Sequence, residues 1–401
     1  MACTVSSEWI KDLPFEEFFN SPYMVQLRKD LASGVKNSNC SVCWNFEAKG
    51  VTSLRKDQLK HFFDTEGELG TYLLLEESEA VGHVLKSPEK LDFRIGTTCN
   101  LKCRMCNANN SSKIWSEYQA NLDSLSRFAG TIAGEGEEFY SNAKEPATLQ
   151  DLMSISYGLS RIGISGGEPN LSKLLLDYLE ELVKQGLSQN ISLKINTNGV
   201  TTSPRMLKVF PHFRRVEIML SIDGTGPVQE YIRHPSKWEQ VEDNVRMLKE
   251  FFREYRPDQY RILAAPTYQA LNALYLTDIV TWCEQVGIEW SLFHKIITPE
   301  FLSVDVLPES VRRVAARRLE DFLFGNKIHP RGRHDIEVII HHLRQEKPLE
   351  EAKLKEFFDY NDALDKIRRE TMATGCQELY DLLRPHREKM VERRELAAPG
   401  P

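Results

Sequence analysis

The chain has 401 residues, 41% hydrophobic and 27% charged, with 51 Lys plus Arg against 58 Asp plus Glu and a net charge of −7. This is the composition of a folded globular protein of two or three domains, and it excludes collagenous, coiled-coil and disordered chains. A weakly acidic chain exerts no global pull on a phosphate backbone. No apolar run nears the roughly 20 residues of a membrane span, and the start lacks the basic and apolar segments of a signal peptide.

In chain order, a first region at 1–90 opens with a helix-like stretch, LPFEEFFNSPYMVQLRKDLASG, that ends at Gly34. A turn at 37–39 precedes Cys40-Ser41-Val42-Cys43-Trp44. The second region, 91–297, alternates strand-like and helix-like patterns. Strands are expected at 91–95, 161–165, 191–195, 215–222, 261–265 and 288–293. A loop at 97–106 follows the first strand, and Asn110-Ser111-Ser112 is placed to cap a helix containing Ile114, Trp115 and Tyr118. A Gly/Glu-rich stretch at 129–145 reads as an inserted loop. Helices are expected at 171–185, ending at Gly186, at 238–253 and at 274–286. The third region, 298–401, is charged and mostly helical, frayed at 395–401. Its Arg312, Arg313, Arg317 and Arg318 recur at helical spacing beside Glu309 and Glu320, as on a solvated face rather than a nucleic-acid patch.

Six strands mostly separated by helices imply an α/β fold with a parallel sheet, open or closed into a full or partial barrel. In either form the functional residues belong at the strand C-termini.

The strongest chemical signal is Cys99-Asn100-Leu101-Lys102-Cys103-Arg104-Met105-Cys106, three of the eight cysteines on one loop after a strand. Clustered thiolates in a chain with few cysteines point to a soft metal centre rather than to disulfides. Iron–sulfur clusters are normally held by four Cys ligands. Three would leave one iron open to an external ligand, as a catalytic centre requires. The same spacing also fits a structural zinc completed by a distant Cys or His, in a non-enzymatic binding module.

Further motifs end the later strands. Ser165-Gly166-Gly167-Glu168-Pro169 combines two glycines, which permit close backbone approach, with an acceptor for a cationic amine; a plain strand-to-helix turn has the same residues. Asn196-Thr197-Asn198-Gly199 reads first as an Asn-Gly turn. Ser221-Ile222-Asp223-Gly224 offers a hydroxyl and a carboxylate suited to ribose. Arg233 is either a planar fork for a carboxylate or a solvated surface side chain. Cys283 falls on an apolar helix face, Cys376 is a ligand or a cap neighbour, and Cys3, His83, His294, His341 and His342 show no ligand spacing.

On these motifs, residues 91–295 resemble the radical S-adenosylmethionine (SAM) enzymes, whose loop has the Cys-x3-Cys-x2-Cys spacing. The resemblance implies a partial (β/α)6 TIM-like barrel with mostly helical N-terminal and C-terminal flanks. It implies a 4Fe–4S cluster on Cys99, Cys103 and Cys106, with SAM on the fourth iron and reductive cleavage to methionine and a 5′-deoxyadenosyl radical that abstracts hydrogen. Gly166, Gly167 and Glu168 would hold the SAM amino group and Arg233 its carboxylate. Asn196, Asn198, Ser221 and Asp223 would contact the ribose or methionyl group, and Pro266-Thr267 the adenine. Met105 stands where the family usually carries an aromatic residue against the adenine; its thioether can fill that apolar role.

The resemblance also implies an external electron donor of the flavodoxin or ferredoxin type. The segment CSVCWNFEAKG, the cysteine loop and the helical tail resemble the twitch-domain subgroup often found in phage genomes. That implies a peptide or protein side chain as substrate, with RNA or a small metabolite as the alternative; no aromatic–basic alternation for single-stranded RNA stands out. Related groups carry auxiliary Fe–S clusters. Cys40 and Cys43 are candidate ligands for one, although the usual C-terminal cysteine set is missing; the alternative is a pair of buried thiols beside a packed Trp. A cytoplasmic location is expected, in the host if the chain is phage-encoded.

Overall fold

The computed structural model describes residues 17–18, 20–48, 88–94, 96–134, 148–255, 257–292 and 294–397, with short stretches between 53 and 82. The expectations for Cys3, His83, the strand ends at 95 and 293, the 135–145 part of the inserted loop and the tail at 398–401 lie outside the described residues. The chain divides into two compact units, Met1–Glu89 with Ala147–Leu159, and Lys90–Pro146 with Ser160–Pro401.

In the first unit a helix runs over Pro22–Ala32. The expected helix started earlier, at residue 13. The Ser21 side chain accepts the Met24 N–H, and Pro22 sits in the first turn, where its missing N–H costs nothing. The Ser-Pro pair therefore starts a new helix. Its apolar side buries Met24 and Leu27 with Phe18, and Cys40 packs against this cluster. Cys43 lies on the next helix, Ser41–Ala48, half-buried. Thr148 and Asp151 form a reciprocal capping box that opens the helix Leu149–Ser154.

The second unit is built on a parallel sheet. Its strands are β1 (Lys90–Arg94), β2 (Arg161–Ser165), β3 (Ser192–Thr197), β4 (Arg215–Leu220), β5 (Tyr260–Ala264) and β7 (Glu289–Trp290). They pair in that order, every pair parallel. A separate pair, β6 (Thr267–Tyr268) with β8 (His294–Lys295), was not expected. Parallel neighbours need crossovers, and helices such as Lys173–Lys184, Trp238–Tyr255 and Leu276–Val286 supply them. Helix Lys173–Lys184 shows why: Leu175, Leu176, Tyr178, Leu179 and Leu182 form one buried stripe behind a Ser172 cap.

The two faces of the sheet differ. Ile162, Ile164, Leu193, Ile195, Val216, Ile218 and Leu220 are buried. The alternating positions of the other face carry a charged row, Lys194, Glu217, Arg261 and Glu289. Glu217 lies 3.7 Å from Lys194 and 3.1 Å from Arg261, which also reaches Glu289 at 2.6 Å.

The C-terminal helices Glu309–Gly325, Pro330–Leu343, Glu351–Arg368 and Gln377–Ala397 belong to the same unit as the sheet. Residues 395–397 continue the last helix rather than fraying. Arg312 corrects the expected solvated face: it is 2% exposed and donates to the carbonyls of Leu307, Leu343 and Gln345. Cys283 and Cys376 are both buried.

Candidate functional site

The loop after β1 carries the three cysteines, and backbone contacts on both sides set its path. On one side, Gly167 N–H donates to the Gly96 carbonyl at 2.9 Å and Glu168 N–H to the Thr98 carbonyl at 2.7 Å. The turn after β2 thus lies directly against the cysteine loop. A Cβ at Gly167 would stand 2.1 Å from the Thr98 oxygen, so only glycine permits the approach. Gly96 and Gly166 have φ of 100° and 110°, in the region that favours glycine. On the other side, Lys102 N–H donates to the His234 carbonyl at 2.6 Å and Arg104 N–H to that of Ile232 at 2.9 Å. The loop is strung between the β2 turn and the end of the helix Pro227–Ile232.

Cys103 is buried, and Cys99 and Cys106 are half-buried. Burial pushes all three thiols up, Cys99 to about 11 and Cys106 to about 12. Neighbouring thiols push the same way: Cys103 acts on Cys99, and both act on Cys106. Three such thiols become thiolates together only beside a compensating cation, which a metal centre supplies. The all-sulfur donor set suits iron or another soft metal. Among the described residues no three His, Cys, Asp or Glu side chains converge as ligands of a single ion. An iron–sulfur cube makes a different demand, since each thiolate binds its own iron.

Around the thiols the later motifs interlock. Arg233 Nη1 lies 3.6 Å from the Cys103 sulfur, and its Nε donates to Asp223 Oδ2 at 2.6 Å. It is 9% exposed, so the solvated-surface reading of Arg233 is corrected. The other Asp223 oxygen accepts the Thr267 N–H at 2.6 Å, which ties β6 to the end of β4. Glu168 is 1% exposed; it accepts from Thr197 Oγ1 at 2.7 Å, Asn170 Nδ2 at 2.9 Å and Asn198 N–H at 2.9 Å. Burial pushes its carboxyl up, against the pull of these donors. Asn198 Nδ2 reaches Asn100 Oδ1 at 2.7 Å, joining the third motif to the cysteine loop. The Ser221 N–H donates to the Thr197 carbonyl at 2.9 Å. Asn196 alternates with Thr197 and is exposed, while Ser221 and Met105 are half-buried.

The C-terminal helices also reach this loop, which the sequence reading missed. Arg104, between two of the cysteines, is 0% exposed. It donates to Asn361 Oδ1 at 2.9 Å, Asp365 Oδ1 at 2.5 Å and Glu370 Oε1 at 2.7 Å, and its guanidinium lies 3.6 Å over the Tyr231 ring. Tyr360 O–H donates to the Arg104 carbonyl at 2.7 Å. Glu117 pairs with Lys102 at 2.6 Å and with Arg368 at 2.7 Å. The available signal was a pair of basic residues, Lys102 and Arg104, within a cysteine-rich loop expected to be buried, where charges need partners.

Residues 93–259 match the family described as the Radical SAM superfamily. Among solved structures, the chain is similar to Streptococcus suis SuiB bound to S-adenosylmethionine, at 14% identity and TM-score 0.36 over 67% of this chain and 60% of that one. It is also similar to SuiB bound to the precursor peptide SuiA, at 13% and 0.36 over 80% and 67%. The methyltransferase TsrM from Kitasatospora setae, with cobalamin and a [4Fe-4S] cluster bound, is similar at 12% and 0.32 over 49% and 35%. Likenesses this faint carry no weight for a substrate, and the alignment spans under two thirds of the SAM-bound SuiB chain. No curated protein matches. Residues 93–259 of the chain thus carry a radical SAM domain.

Proposed function

We propose, from the radical SAM domain at residues 93–259, that this protein reductively cleaves SAM and abstracts hydrogen from a peptide or protein side chain. The observation that carries the reading is the backbone pairing of the Gly-Gly-Glu turn with the cysteine loop, Gly167 on Gly96 and Glu168 on Thr98. It sets a sulfur-ligand loop against an amine acceptor, an arrangement that a simple strand-to-helix turn does not need.

Cys99, Cys103 and Cys106 are the proposed ligands of the cluster, and SAM takes the remaining iron. Bound there, the cluster and SAM would supply the one-electron chemistry for hydrogen abstraction from the substrate. The protein's part is to bind and orient. Glu168, already receiving four hydrogen bonds, is the acceptor for the SAM amino group. Arg233 stays protonated beside Asp223 and offers its fork to the SAM carboxylate. Asn196, Asn198, Ser221 and Asp223 line the ribose and methionyl positions, with Met105 against the adenine. Cys40 and Cys43 remain candidates for an auxiliary cluster.

We read the sheet as a partial (β/α)6 barrel. Two facts support this: the strands pair in sequential order without the reversal of a doubly wound sheet, and one face carries charges, whereas a parallel sheet covered on both faces reads apolar throughout. The row Lys194, Glu217, Arg261 and Glu289 then faces the interior, where it offers ion-pair and hydrogen-bond partners to a polar substrate. The electron comes from a flavodoxin- or ferredoxin-type donor in the cytoplasm, and the subgroup assignment is twitch-domain and phage-type.

Anaerobic purification should give a brown protein with about four irons per chain. Cys103→Ala should lose the colour and the reductive cleavage of SAM together, and mass spectrometry of cells expressing each form should show a mass shift on one peptide only with the wild type. A colourless zinc protein, or a Cys103→Ala variant that still cleaves SAM, overturns the reading.

A further inference from the structure

Arg368 stands out among the charged groups behind the cysteine loop. Its side chain is 2% exposed, and its Nε and Nη2 donate to Glu117. Its Nη1 is buried with no hydrogen-bond partner. A buried donor left without an acceptor is destabilising, so a guanidinium half-satisfied at the end of a long helix needs a reason. The surroundings supply one. Glu117 also holds Lys102, the neighbour of Cys103, at 2.6 Å, so Arg368 is joined through one shared carboxylate to the cysteine loop.

We propose that Arg368 sets the reduction potential of the cluster, by placing a buried positive charge beside the cysteine loop, held there through Glu117 and Lys102. The inference rests on the cluster assignment. Cluster potentials follow net charge, hydrogen bonds to sulfur and exposure. One-electron reduction adds a negative charge to the site, so a nearby cation favours the reduced form. The local balance is Lys102 and Arg368 against Glu117. Arg233 is offset by Asp223, and Arg104 by Asp365 and Glu370. Removing Arg368 therefore adds a net negative charge beside Cys103, and neutralising Glu117 removes one.

The test is an anaerobic redox titration with a chemical reductant, followed by the cluster's visible absorbance and its electron paramagnetic resonance signal. Arg368→Gln should move the midpoint to more negative values, and Glu117→Gln to more positive ones. Arg368→Lys keeps the charge and should stay near wild type, with a changed resonance line shape from the lost N–H. Iron content and circular dichroism confirm that each variant is loaded and folded. If Arg368→Gln does not load, the Arg368→Lys and Glu117→Gln titrations decide the matter. An unmoved midpoint in loaded Arg368→Gln or Glu117→Gln, shifts of one sign for those two, or a shifted midpoint in Arg368→Lys overturns the role of Arg368 and leaves the cluster assignment standing. A wild type without iron overturns that assignment instead.

Discussion

Gly167 matters through the side chain it lacks. Its backbone N–H bonds the Gly96 carbonyl, and a Cβ would stand 2.1 Å from the Thr98 oxygen, a backbone atom that cannot rotate away. Gly167→Ala must push the turn off the cysteine loop, an overpacking that typically costs about 1–3 kcal/mol. The larger effect is on the site, because the same displacement separates Glu168 from Cys99. We expect Gly167→Ala to lower the melting temperature by several degrees and to load less than half the wild-type iron. Thermal denaturation and iron analysis check this, and full loading would show that the turn tolerates displacement. Gly226 has a φ of 54° but no atom within 4 Å of its would-be Cβ. An alanine there meets strain alone and should leave iron loading intact.

At the scale of elements, the loop and the helix Glu351–Arg368 are joined by a buried ion-pair cluster. Arg104 satisfies Asn361, Asp365 and Glu370 at once. Breaking a buried pair by removing one partner costs about 3–5 kcal/mol, because the other charges stay behind. Arg104→Met should therefore destabilise strongly and load poorly, and Arg104→Lys, without the planar fork, should rescue only partly; denaturant titration with iron analysis measures both. A second joint centres on Asp305. Burial alone would push its carboxyl up, but hydrogen bonds from His342, Lys295 and Lys347 hold it well below the usual carboxylate range. A depressed native pKa gives stability that is present above the unfolded value of about 4 and lost as pH falls below it. The stability gap between wild type and Asp305→Asn should narrow progressively as pH falls below about 4; a gap that does not narrow at all between about pH 4 and 2 would mean the Asp305 charge is not its source.

Elements with a clean period were legible in the sequence. The strand at Arg161–Ser165 falls where RIGIS placed it, and Ser111 caps its helix by accepting the Ile114 N–H. The helices Pro204–Val209 and Pro227–Ile232 have six residues each, too few for a 3.6-residue period to show. The two-residue strands β6 and β8 carry no pattern at all. The cysteine loop and its glycines were legible because the chemistry demands those residue types. The Arg104 and Glu117 clamps were not, because ion pairs formed across more than 250 residues depend on tertiary placement that no local spacing encodes.

For the whole molecule, these clamps make the C-terminal helices part of the proposed cofactor site. The loop's Arg104 has its carboxylate partners at Asp365 and Glu370, Lys102 shares Glu117 with Arg368, and Tyr360 closes over the Arg104 carbonyl. Tyr360 in turn packs edge-on against Phe128 at 5.1 Å and beside Phe301 at 4.9 Å, so this helix also seals apolar core behind the loop. A chain ending at residue 348 keeps all three cysteines and the whole Gly-Gly-Glu turn. It takes away Asn361, Asp365 and Glu370, which hold the Arg104 guanidinium, and opens the loop's buried side to water. We expect that chain to lose more helix by circular dichroism than the deleted residues account for and to bind little iron. A truncated chain that still holds about four irons would mean that the cysteine loop is shaped by the sheet alone.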